Sequence, residues 1–233
     1  MDVRRTAMIA GLLGLAAVTA GCGIGGPENT ETASYDVTGT VTALDVGADG
    51  GAIEVIESDR QGVHVTETLT WTGDRPPQPT HEVEGGTLVL AYTCPTGWGG
   101  MLHCDVGYKV EIPRGLRVKA GTDSGAVTLR GLSGEVETNS DSGRIEATDL
   151  TGKQVVAGTD SGGISLSFAA APDKVETSSD SGSSVVRVPE GPYDITATTD
   201  SGRRRVDAAH DGAAPRKITL RSDSGALEVL PAR

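Results

Sequence analysis

Val118-Lys119-Ala120-Gly121-Thr122-Asp123-Ser124-Gly125-Ala126-Val127-Thr128-Leu129 decides the fold, because the chain writes the same sentence six times. Asp-Ser-Gly returns at Asp141-Ser142-Gly143, Asp160-Ser161-Gly162, Asp180-Ser181-Gly182, Asp200-Ser201-Gly202 and Asp223-Ser224-Gly225. The intervals are near 20 residues, so one supersecondary unit is being reused. Six residues before each serine stand Val118, Val136, Val155, Val175, Ile195 and Ile218. Four before it stand Ala120, Thr138, Ala157, Thr177, Ala197 and Leu220, and two before it Thr122, Ser140, Thr159, Ser179, Thr199 and Ser222. A spacing of two places residues on one face of a strand. The valine, the small residue, the Thr/Ser and the motif serine are therefore expected to point inward together, leaving the aspartate outside. After the glycine a second strand carries apolar residues three and five beyond the serine, from Val127 and Leu129 to Leu227 and Val229.

One such unit cannot bury its own apolar face, but units stacked about 4.8 Å apart bury a continuous valine column. The expected fold is all-β, a single-stranded β-solenoid of the β-helix or β-roll kind with coils of about 20 residues. A meander of antiparallel hairpins is the rival, but it does not require hydroxyls in phase with valines. Stacked inward hydroxyls are expected to hydrogen-bond along the axis, and the motif glycine to supply backbone freedom at the corner. Ser184 and Arg204 stand in an apolar column, so bulges are expected in coils four and five. The longer last interval reads as a loop inserted at His210–Pro215, and the coil ending at Leu227, Val229 and Pro231 as an open end in need of a cap.

Upstream, Tyr35 to Trp71 alternates apolar and polar residues in short strands separated by glycine-rich turns. Asp74–Pro79 holds three prolines and reads as a loop. Leu88, Leu90 and Tyr92, then Val106, Tyr108, Val110 and Ile112, form two further strands. At the start, Arg4-Arg5 precedes an apolar run from Ala7 to Ala20, too short to span a bilayer and ending in Val18-Thr19-Ala20-Gly21-Cys22. That is the pattern of a signal peptide ending in a cysteine. The boundaries expected are a signal peptide at 1–21, a flexible tether at 22–33, and one β-domain at 34–233, divided into leading strands at 34–115 and repeats at 116–230.

The formal net charge of -12 becomes about -13 without residues 1–21, which argues against nucleic acid as a partner. Cys94 and Cys104, with nine residues between them, are expected to pair, closing a loop worth about 2–3 kcal/mol. A metal site built from Cys94, Cys104, His103 and His81 lacks the usual ligand spacing. The aspartates Asp123, Asp141, Asp160, Asp180, Asp200 and Asp223 form a column that could lodge a cation, or that simply accepts hydrogen bonds from its own turn amides. Asp-Ser-Gly also occurs in aspartic proteases, but there two aspartates face each other, whereas these stack along one edge. The histidines at 64, 81, 103 and 210 do not recur with the repeat, so no Ser/His/Asp triad is read. No catalytic residue, metal site or cofactor is assigned. Trp98, inside the cysteine loop, is a candidate binding surface or a cover for the solenoid end. Arg203, Arg204 and Arg205 are a candidate contact for anionic groups or a solvated edge.

Two resemblances add to this reading. Val18–Cys22 resembles the lipobox of bacterial lipoproteins, with Thr19 where leucine is usual, and implies lipidation at Cys22 and anchoring on the outer face of the cytoplasmic membrane. Ile112-Pro113-Arg114-Gly115-Leu116, followed by Gly121-Thr122-Asp123-Ser124-Gly125 and recurrent Ser-Gly-x-[Val/Ile], resembles the bacterial putative-adhesin family of unknown function. That implies a β-solenoid of the cell envelope with no established catalytic residues. The function expected is a non-enzymatic envelope lipoprotein presenting an extended surface to an envelope protein or glycan. The alternative is a structural or envelope-stress module with no dedicated ligand.

Overall fold

The computed structural model describes residues 28–95 and 103–232. The strands are, in chain order, β1 (Glu28–Val37), β2 (Ala43–Ala48), β3 (Ile53–Glu57), β4 (Val63–Thr72), β5 (Gln78–Glu84), β6 (Thr87–Thr93), β7 (Cys104–Ile112), β8 (Arg117–Thr122), β9 (Val127–Arg130) and β10 (Val136–Ser140). They continue as β11 (Ile145–Leu150), β12 (Gln154–Thr159), β13 (Ile164–Phe168), β14 (Lys174–Ser179), β15 (Ser184–Val188), β16 (Asp194–Thr199), β17 (Arg204–Val206), β18 (Lys217–Ser222) and β19 (Leu227–Pro231). One sheet runs β1-β4-β7-β3-β9-β11-β13-β15-β19-β17, the other β16-β18-β14-β12-β10-β8-β2-β6-β5. Each Asp-Ser-Gly joins a strand of the second sheet to a strand of the first, so the repeat is a coil and the fold is the expected solenoid.

Like residues lie over like. Val118 pairs with Val136, Val136 with Val155, Val155 with Val175 and Val175 with Ile218, all in parallel register. These side chains are buried, as are Val127, Leu129, Ile145, Leu166, Leu227 and Val229 opposite them. The thin core rests on this repetition of medium-sized apolar residues, each removing its surface from water at about 25 cal/mol per Å².

Two further coils precede the six repeats. β2 pairs with β8 and β3 with β9, with Ala48 opposite Thr122 and Ile53 opposite Val127. Asp49-Gly50-Gly51 thus occupies the Asp-Ser-Gly corner of a coil that the sequence reading treated only as strands and a turn. β6 and β7 stack outside it in parallel, and their corner is the Cys94–Cys104 segment. Beyond them β4 and β1 extend one sheet, and β5 the other, as antiparallel strands. Residues 28–33, expected as tether, belong to β1, because Glu28 to Ala33 pair with Thr72 to Glu67. Gln78 and Pro79 open β5 rather than ending a loop, and an edge strand tolerates that proline.

The far end of the stack is not in chain order. β18 lies between β14 and β16, and β19 between β15 and β17. The sixth repeat is therefore interior and the fifth is terminal. The physical reason is Arg204, which pairs in register with Leu227 and would be sealed between coils if its repeat lay inside. At the end of the stack it is exposed, which avoids the cost of burying an unpaired charge. The segment around His210–Pro215 is the connection that carries the chain back inside. The expected bulges at coils four and five are absent: Ser184 pairs directly with Ile164 and Leu227, and Arg204 with Leu227. The register shifts instead between Ala147 and Leu150, where Asp149 takes φ of 56°.

The corner also differs from expectation. Ser124, Ser142, Ser161, Ser181 and Ser224 are exposed beside their aspartates, while Gly125, Gly143, Gly162, Gly182 and Gly225 are buried. Strand alternation ends at the preceding Thr or Ser, whose hydroxyl brackets the turn: Gly143 N donates to Ser140 Oγ at 2.7 Å and Gly162 N to Thr159 Oγ1 at 2.9 Å. Axial hydroxyl bonding is the lesser use, seen where Ser179 Oγ meets Ser222 Oγ at 3.1 Å. None of the motif glycines has a positive φ. Glycine is needed there for close approach, since a Cβ on Gly143 would collide with the carbonyl of Gly125, and one on Gly162 with that of Gly143.

Candidate functional site

The aspartate column is built by backbone rather than carboxylate bonding. Ser142 N donates to Asp123 O, Ser161 N to Asp141 O and Ser181 N to Asp160 O, each at 2.8 Å. Ser224 N reaches Asp180 O, and Ser201 N reaches Asp223 O, at 2.9 Å. The carboxylates of Asp123, Asp141, Asp160, Asp180, Asp200 and Asp223 project outward, and no hydrogen bond from their own turn amides reaches them. Among the described residues no three His, Cys, Asp or Glu side chains converge on a cation-sized point.

At the other end, Cys94 and Cys104 form a disulfide with Cα atoms 6.0 Å apart, clamping the end of β6 to the start of β7. Beside it Asp105 Oδ1 accepts from Gly51 N at 2.7 Å, Tyr92 Oη at 2.9 Å and Val106 N at 3.0 Å. Coil β2–β3 has Ala48 where the Asp-Ser-Gly coils have Thr or Ser, and Asp105 supplies the oxygen that its corner amide needs. Gly50 stands where the other repeats have serine because the Asp105 carboxylate fills the space of a Cβ. Burial pushes the Tyr92 hydroxyl well above the ordinary phenol range, and the hydrogen bond to Asp105 pushes the same way. The tyrosine therefore stays a neutral donor.

A shallow groove of about 430 Å³ crosses the outer face of β3, β7 and β4 next to this corner. Thr68, Thr70, His103, Asp105, Lys109 and Glu54 line it, and Gly107 leaves its floor low. It offers hydroxyl, imidazole, ammonium and carboxylate groups on a rigid sheet, which suits polar recognition of an extended ligand.

The terminal arginines are spoken for in part. Arg205 Nε donates to Asp207 at 2.8 Å, and Arg204 Nη1 reaches the carbonyl of Ala197 at 3.4 Å. They line an exposed edge strand, where charge discourages pairing with another sheet. The expected signal peptide at 1–21, Cys22 and Trp98 lie outside the described residues.

Sequence reasoning missed Glu67. It is 3% exposed although ionisable, and its Oε1 accepts from Tyr35 Oη at 2.6 Å. The signal was legible: Val63, Val65, Leu69 and Trp71 share one phase of β4, and Glu67 interrupts it.

The Toastrack DUF4097 pattern matches residues 109–229, more than half of the chain. The chain belongs to the Toastrack DUF4097 family. The matched span opens within β7 and takes in all six Asp-Ser-Gly coils, leaving the β1–β6 strands outside it. Among solved structures, the Toastrack chain is similar to a "putative cell adhesion protein" from Clostridium sporogenes. That likeness has 10% identity and a TM-score of 0.50, covering 87% of this chain and 100% of the other. A "putative adhesin" from Bacteroides fragilis is similar at 13% identity and TM-score 0.50, covering 87% and 97%. At such identities the likeness establishes the fold. No curated protein matches the chain.

Proposed function

We propose that this Toastrack protein is exported, lipid-anchored at Cys22 and non-enzymatic, and that its solenoid flank presents an interaction surface to an envelope protein or glycan. The observation that carries this reading is the stack itself. Two long sheets hold outward side chains on rigid elements at a repeat of about 4.8 Å, and the adhesin descriptions of its fold relatives accord with that use. Anchoring has a geometric consequence. Five residues separate Cys22 from Glu28, and the six Cα steps reach at most about 20 Å, so β1 and the groove beside β4 stand near the membrane. The ten-stranded sheet then carries β17 about 40 Å away.

The test has two arms. Cys22→Ala should move the protein from the membrane fraction to the soluble one. Crosslinking on intact cells should then yield a defined adduct with the anchored wild type that Thr70→Arg, placed in the groove, diminishes. A Cys22→Ala chain that stays on the membrane overturns the anchor. A wild type that yields no adduct overturns the interaction surface and leaves the structural-module alternative.

A further inference from the structure

We propose that Tyr35, Glu67 and His81 form a proton-dependent latch that holds the β1 and β5 edges together and closes the amino-terminal end of the stack. At that end each sheet runs past the last complete coil, β4 and β1 extending one and β5 the other. The register places Tyr35 opposite Val65 and Ala33 opposite Glu67, and His81 opposite Leu90 and Val83 opposite Leu88. Val65, Leu90 and Leu88 are all buried core residues. Tyr35, Glu67, His81 and Val83 therefore share the inner faces of the two sheets, with no further coil over them among the described residues.

The edges meet through rings. Tyr35 and His81 stack with centroids 4.4 Å apart and planes tilted by 34°. The tyrosine is held from beneath, since its hydroxyl donates to Glu67 Oε1. Glu67 lies between Ala33 and Tyr108 in register, and Val65 and Leu69 flank it on its own strand, both buried. Ala33 has no polar group, and the buried Tyr108 hydroxyl has no hydrogen-bond partner among the described residues. A carboxylate here has one hydrogen bond and an apolar floor. Such a site favours the neutral acid.

The groups facing Glu67 are Tyr35 from β1, Tyr108 from β7 and His81 from β5, with Tyr92 of β6 lying beyond Tyr108. Burial raises the Glu67 carboxyl above its ordinary range, while the Tyr35 hydrogen bond and His81 pull it partly back. The folded, closed form thus holds its proton more tightly than an open form does. Closure is fully favoured below the ordinary glutamate range and weakens as pH rises through the raised value.

Hydrogen exchange on the full chain, corrected for intrinsic rates, tests the latch between about pH 4.5 and 8. Protection of β1 and β5 amides should fall by up to about tenfold per pH unit between the ordinary glutamate range and the raised value and level off above it, while β10 and β12 hold theirs. Glu67→Gln keeps a neutral acceptor for Tyr35 and should leave β1 and β5 protected throughout. Tyr35→Phe should lower their protection even at acid pH. A flat wild-type profile, or a Glu67→Gln profile that matches wild type, overturns the proposal. If Glu67→Gln does not fold, carbon-detected NMR of the wild-type carboxyl decides the matter, and titration in the ordinary glutamate range overturns it.

Discussion

A methyl group separates the residues that build this solenoid from those that decorate it. Gly143 lies against the carbonyl of Gly125 with no room for a Cβ, so Gly143→Ala forces two coils apart and should cost about 2–3 kcal/mol. The adjacent Ser142 is exposed, and Ser142→Ala should change stability by less than about 0.5 kcal/mol. Urea unfolding of the two variants reads the contrast, and equal losses would return the serine to the interior. Ser184 supplies the opposite case. It is fully buried, and its hydroxyl has no partner among the described residues. Ser184→Ala removes a desolvated hydroxyl and should raise stability by about 1 kcal/mol, measured by the same unfolding. The period-two pattern revealed the valine column and the hydroxyls before each corner, but it could not reveal where alternation stops. That limit is set by the coil above, whose carbonyl demands the glycine.

At the level of elements, the disulfide corner does the work of an Asp-Ser-Gly turn with different chemistry. Cys94–Cys104 closes the β6–β7 corner, and Asp105 gives Gly51 N the oxygen that Ala48 cannot. Reduction should destabilise the chain by about 2–3 kcal/mol, and the first amides to lose exchange protection should be those of β6, β7 and β5. Early loss in β16 and β17 instead would show that the corner does not hold the amino-terminal end. The pairing of the two cysteines was legible from their spacing and the exported pattern upstream. Their place at a solenoid corner was not, because the coil they close lacks the motif. Coil β2–β3 was nearer to legible: Leu44, Val46 and Ala48 before Asp49-Gly50-Gly51, then Ile53 and Val55, match the repeat phase with glycine in place of serine.

The whole molecule is a stack whose spatial order departs from its chain order at both ends. β2 and β3 lie inside β6 and β7, and β18 and β19 lie inside β16 and β17. The fifth repeat is thus a terminal coil with a three-residue edge strand, β17, that is wholly exposed. Deleting residues 191–212 should leave β18 and β19 paired with β14 and β15, because those ladders already exist. The shortened chain should keep a β-type circular dichroism spectrum and a cooperative unfolding transition. A chain that loses both would show that the fifth coil is needed to place the sixth.

The amino-acid sequence by itself determined the coil: its length, its inward valines and hydroxyls, its Gly corner and its all-β class. Those follow from strand periodicity and from the need of each unit for a neighbour. Only the tertiary structure decided the order of the coils and the fate of the ends. Every repeat carries nearly the same pairing face, so local pattern does not specify which coil lies on which. The choice falls to residues that tolerate exposure, such as Arg204, and to those that the last layer shelters, such as Glu67.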